Sequence, residues 1–69
     1  MGQSLAERLG SKLRELRGEI PLRHFARKLG ISKSQLHRME MGEQNVTLKT
    51  LEQLCKYLKC DLSDLFPED

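Results

Sequence analysis

The chain has 69 residues, of which 38% are hydrophobic and 32% charged, and a net charge of +2. That length suits one small domain, residues 1–69, with a modest core and little room for a deep enzymatic pocket. It contains no apolar run long enough to cross a membrane, no leader segment is legible, and two cysteines are too few for a disulfide scaffold.

Leu, Lys, Arg and Glu dominate, all good helix formers, and no β-branched run suggests a strand. The first predicted helix runs from about Ser4 to Arg17. Leu5, Leu9, Leu13 and Leu16 recur on one helical face, Ser4 and Glu7 form an S-x-x-E capping box, and Gly18 is a stop. The second runs from about Pro21 to Leu29. Pro21 suits the first helical position, Leu22, Phe25, Ala26 and Leu29 form the inner stripe, and Gly30 ends it. The third spans about Lys33 to Glu40, with Ser32 as cap in a Ser32-x-x-Gln35 box and Gly42 as stop. The fourth spans about Leu48 to Leu58, capped by Thr47, with Leu48, Leu51, Leu54, Cys55 and Leu58 facing inward. The fifth is short, about Leu62 to Phe66, capped by Asp61 and followed by Pro67. The fold class expected is all-α: five short helices with short connections.

The stretch from Leu22 to Gly42 carries the functional signal. Two short helices flank a tight turn at Gly30-Ile31-Ser32, Ala26 is small where they cross, and Ile31, Leu36 and Met39 fill the angle between them. These are the residue types a helix-turn-helix needs. At about 100° per residue, Lys33, Ser34, His37 and Arg38 share one face of the third helix, while Leu36 and Met39 point the opposite way. Glu40 falls at the edge of the apolar face, so it is structural. The polar face holds no acid, and Lys, Arg and Ser are side chains that read base edges. Charge is distributed in the same sense. Residues 1–38 carry nine Lys/Arg against three Asp/Glu, and residues 39–69 carry three against seven. The basic half suits a polyanion.

The remaining residues suggest no chemistry. His24 and His37 lie on different helices without ligand-spaced partners, so no metal is expected. Cys55 and Cys60 read as reduced, largely buried thiols. No nucleophile–base pair or phosphate-cradling loop is visible, and no cofactor or small-molecule ligand is expected. Arg8, Lys12 and Arg14 read as a solvated face.

The motif FARKLGISKSQLHRME-x-G, with NVTLKTLEQLCKYLKCDLSDLF after it, resembles the Cro and phage-repressor type of helix-turn-helix proteins, the XRE family. The resemblance covers about Leu9 to Phe66. It implies a lambda-repressor-like five-helix fold and sequence-specific binding of double-stranded DNA by a cytoplasmic transcriptional regulator, usually a repressor. It further implies a homodimer on a palindromic operator. The family's base-reading positions fall on Lys33, Ser34 and Arg38, with His37 beside them. Its phosphate-contacting positions fall on Ser32 and Gln35 and, largely through backbone N–H groups, on the loop near Gly42, Gln44 and Asn45. The dimer surface is expected on the last two helices, around Tyr57, Leu65 and Phe66.

The sequence departs from the family pattern in three places. Pro21-Leu22 replaces the polar pair that often opens the second helix, although a Leu-Arg opening also occurs in the family, with Arg23 as a compensating phosphate contact. The loop Met41-Gly42-Glu43-Gln44 is not basic, and the loop between the first two helices is about two residues short, which blurs which helix-one residue the resemblance pairs with Glu40; Arg17 is the favoured partner. The first two predict fewer phosphate contacts and a shallower salt dependence. The alternatives are an antitoxin or a restriction–modification controller of the same fold, whose branch NVTLKTL resembles, and a protein-interaction module that has lost DNA binding.

Overall fold

A computed structural model of the chain describes residues 4–43 and 46–66. Among these, five helices form in chain order: α1 (Leu5–Arg17), α2 (Leu22–Leu29), α3 (Lys33–Glu40), α4 (Leu48–Leu58) and α5 (Leu62–Leu65).

Capping accounts for most of the helix starts. At α1 the Ser4 hydroxyl accepts the Glu7 N–H at 3.1 Å, and the Glu7 carboxylate accepts the Ser4 N–H at 2.9 Å. Those bonds, the backbone one first, hold the Glu7 carboxyl below its ordinary pKa. Ser32 accepts the Gln35 N–H at 3.0 Å at the start of α3, which is one half of the expected box. Thr47 accepts the Thr50 N–H at 3.2 Å at α4. At α5 the Asp61 N–H donates to the Asp64 carboxylate at 2.9 Å. Pro21 lies one position earlier than expected. Its ψ of 141° is extended, so it is the N-cap of α2 rather than its first residue. It still accepts the Phe25 N–H through its carbonyl at 3.0 Å.

The core contains Leu9 and Leu13 of α1, Phe25, Ala26 and Leu29 of α2, Leu36 and Met39 of α3, Leu51 and Leu54 of α4, and Leu65 of α5. Helix α1 lies tightly on the end of α3. A Cβ on the buried Gly10 would sit 2.4 Å from the Met39 carbonyl oxygen and 2.8 Å from that of Glu40. Only glycine permits that approach.

Burial departs from the predicted stripes at the helix ends. Leu5 and Leu16 are exposed although they share a face with Leu9 and Leu13. At 13 residues α1 is about 20 Å long and overhangs the roughly 12 Å α3 at 1.5 Å per residue. Leu48, expected inside, is 73% exposed, because it is the first residue of α4 and only later turns of that helix reach the core. Phe66 follows α5 rather than ending it. Cys55 and Cys60 are free and half-buried, less enclosed than expected. Burial, and then the neighbouring Cys55, push the Cys60 thiol up.

Candidate nucleic-acid interface

Helices α2 and α3 meet at the predicted turn. Gly30, left-handed at φ 74°, donates its N–H to the Ala26 and Arg27 carbonyls and so closes α2. Ile31 donates to the Ala26 carbonyl at 3.0 Å and packs against the core. Ser32 then opens α3. The turn is clamped from outside by a contact absent from the sequence reading. Gln53 Nε2, on α4, donates to the carbonyls of both Leu29 and Gly30 at 2.9 Å. A Cβ at residue 30 would come 2.9 Å from that same nitrogen and 3.2 Å from the Tyr57 ring.

The far end of α3 is fixed by an ion pair. Glu40 is 5% exposed and accepts two bonds from Arg17, Nε to Oε2 at 2.8 Å and Nη2 to Oε1 at 3.0 Å. The partnership expected between these two residues is therefore present. Arg17 Nη1 also donates to the Ile20 carbonyl at 3.1 Å, which ties in the loop between α1 and α2. The Glu40 hydrogen bond raises the guanidinium pKa still further.

Held at both ends and packed on Leu36 and Met39, α3 presents Lys33, Ser34, His37 and Arg38 to solvent, all four exposed. They come together around a shallow depression of about 420 Å³ whose fifth lining residue is Leu22. Leu22 was assigned to the inner stripe of the second helix. It is half-buried, with one side on the core and the other in this depression. The available signal was an apolar residue directly after Pro21, where the family's opening pair is often polar.

Ser32 lies at the N-terminus of α3 with its hydroxyl oxygen engaged by Gln35, and Gln35 is half-buried. Arg23 is exposed on the first turn of α2, outside the depression. Gln44 and Asn45 lie outside the described residues. Gly42 corrects one expectation. Its N–H is directed to the Met39 carbonyl at 3.1 Å, and that of Glu43 to the Arg38 carbonyl at 3.1 Å. These two donors close the end of α3 rather than facing outward.

Electrostatics favour an anionic partner. Helices α2 and α3 carry Arg23, Arg27, Lys28, Lys33 and Arg38, all exposed. Their one acid, Glu40, is buried against Arg17. Basic charge on this surface is thus uncompensated from within the two helices, the electrostatic footprint of nucleic-acid binding. In α5, Leu65 is fully buried and cannot belong to a dimer surface. Leu48, Tyr57 and Leu62 are the exposed apolar residues of α4 and α5.

Comparison with known proteins agrees with this geometry. The Cro/C1-type HTH DNA-binding domain profile matches residues 5–67. The plasmid copy control protein CopR of Streptococcus agalactiae is 36% identical over 58 residues, covering 83% of this chain and 63% of CopR. The chain therefore spans less than two thirds of that relative. The crystal structure of the restriction-modification controller protein C.AhdI from Aeromonas hydrophila superposes with a TM-score of 0.75. It is 28% identical, over 88% of this chain and 91% of that one.

Proposed function

This chain belongs to the Cro/C1-type helix-turn-helix DNA-binding family, and from that premise we propose how it reads its DNA. It acts as a single domain that places α3 in the major groove, where Lys33, Ser34 and Arg38 contact base edges with His37 beside them. Ser32, Gln35 and Arg23 contact phosphates, with Gln44 and Asn45 after the helix. The observation that carries this reading is the face of α3 itself. Four exposed hydrogen-bonding side chains share it with no acid between them, on a helix fixed at both ends. Lys and Arg pair with the guanine O6/N7 edge, and Ser serves several bases.

One such helix reads only a few base pairs. A homodimer with two recognition helices about 34 Å apart would read a palindrome, and the exposed Leu48, Tyr57 and Leu62 supply apolar surface for pairing. The biological role is transcriptional control, most simply repression by occupying the operator. The likeness to C.AhdI favours, as a second reading, control of a restriction–modification system. Adjacent restriction and methyltransferase genes distinguish the two.

The test is selection of bound sites from a randomised duplex pool, repeated with Lys33→Ala, Ser34→Ala and Arg38→Ala. Arg38→Ala should cost about 1–3 kcal/mol at the selected site and relax one base position. Variants that select the same site as the parent with undiminished stringency defeat the assignment.

A further inference from the structure

We propose that Leu22 is a specificity-determining residue that receives the C5-methyl group of a pyrimidine in the major groove. The inference rests on the reading of α3 given above and adds an element that none of the four polar residues supplies.

The depression beside α3 is lined by Leu22, Lys33, Ser34, His37 and Arg38. Four of these present hydrogen-bonding groups, and Leu22 alone presents only hydrocarbon. Its position is fixed. It is the first residue of α2, directly after Pro21 at φ −55°, and its inner side packs on the core. The apolar floor is therefore built in rather than a mobile side chain passing over the surface.

The groove floor offers limited matches to such a surface. Purine edges and the cytosine amino group present polar atoms, and the C5-methyl of thymine is the one apolar projection among the four bases. Seating a polar edge or a phosphate on Leu22 strips its water without returning a hydrogen bond, which is unfavourable. Seating a methyl group removes apolar surface from water on both partners. A side chain that opens α2 with a hydroxyl or amide would favour phosphate, whereas leucine exchanges that sequence-blind contact for one that depends on the base. Thymine and 5-methylcytosine carry the same methyl at the same place, so the chemistry recognised is the methyl itself.

The experiment starts from the site selected by the unsubstituted protein. Each thymine is replaced singly by deoxyuridine, which removes only the methyl. Each cytosine is replaced singly by 5-methylcytosine, which adds it. Affinities are measured by fluorescence anisotropy for the parent, Leu22→Ala and Leu22→Gln. One position in each half-site should respond to the methyl by about fourfold, the magnitude expected for burying one such group. That response should shrink to near unity in both variants.

A response to deoxyuridine identifies thymine as the source, and a response confined to added 5-methylcytosine identifies the methylated base. Either supports the proposal. A flat scan with the unsubstituted protein overturns it, whatever the variants do, as does a methyl response that persists in Leu22→Gln. If a site is selected and Arg38→Ala relaxes it while the methyl scan is flat, only this inference fails. If no site is selected from any pool, the reading of α3 fails with it.

Discussion

At the scale of single residues, Arg17 and Glu40 show how a buried charge is tolerated. Glu40 is removed from water, and both of its oxygens accept bonds from one guanidinium. A buried pair seldom adds much net stability, but stranding one partner is costly. Arg17→Met leaves the carboxylate buried and alone and releases the Ile20 carbonyl. It should lower unfolding stability by about 3 kcal/mol, the low end for such pairs because Arg17 keeps some exposure. The double replacement Arg17→Met with Glu40→Leu should recover most of that loss, and urea unfolding of the two variants measures the difference. A double variant no more stable than the single one would show that the Ile20 bond, not the stranded charge, dominates. Helical periodicity marked Glu40 only as structural, and the pairing with Arg17 was legible through the resemblance, which implies a partner for Glu40 on the first helix. Leu22 was legible only in part. Helical periodicity separates an inner face from an outer one and has no category for a side chain that serves both.

At the scale of elements, the helix starts were readable because caps are local chemistry. Ser4, Ser32 and Thr47 each reach an N–H three residues on. Burial at helix ends was not readable. Periodicity states which way Leu5, Leu16 and Leu48 point, and only the length of the neighbouring helices decides whether anything covers them. The contact from α4 to the turn was also hidden. Gln53 is a half-buried polar residue of an amphipathic helix, and the carbonyls that it meets are 24 and 23 residues away in sequence. Its geometry makes a sharp prediction. Gln53→Leu removes both bonds and should cost about 1 kcal/mol of stability. Gln53→Glu should cost more at neutral pH, since a carboxylate then faces two carbonyl oxygens. The new carboxyl has its folded-state pKa raised by that environment, so the extra penalty is present above that raised value. It fades as pH falls through it toward the ordinary carboxyl pKa of about 4. Thermal unfolding of both variants across this range checks the sign. A Gln53→Glu protein whose deficit relative to the parent does not shrink in acid would show that the amide does not hold the turn through these carbonyls.

At the scale of the whole molecule, charge and fold act together. The exposed surface of α2 and α3 is basic, whereas in residues 46–66 Glu52, Asp61 and Asp64 are matched by Lys49, Lys56 and Lys59. On the proposed reading the basic surface turns toward DNA, but orientation and grip are different quantities. Grip depends on the number of phosphates neutralised, because each releases counterions and steepens the fall of log K with log salt by about 0.9. Here the loop after α3 contributes Glu43, exposed and acidic, and the Gly42 and Glu43 N–H groups are directed back to α3. On the proposed reading, α3 discriminates while this part of the loop adds little grip on the backbone. Glu43→Lys should convert a repulsive position into a phosphate contact. It should raise affinity for specific and random duplexes by similar factors and steepen the salt slope by about 1 per protomer. The base preferences selected from a random pool should stay unchanged. Titrations at several salt concentrations on both kinds of duplex separate these effects. A gain limited to the selected site would place residue 43 against bases rather than phosphate. An unchanged slope would mean that this loop lies away from the DNA, and that discrimination and affinity both arise from α2 and α3.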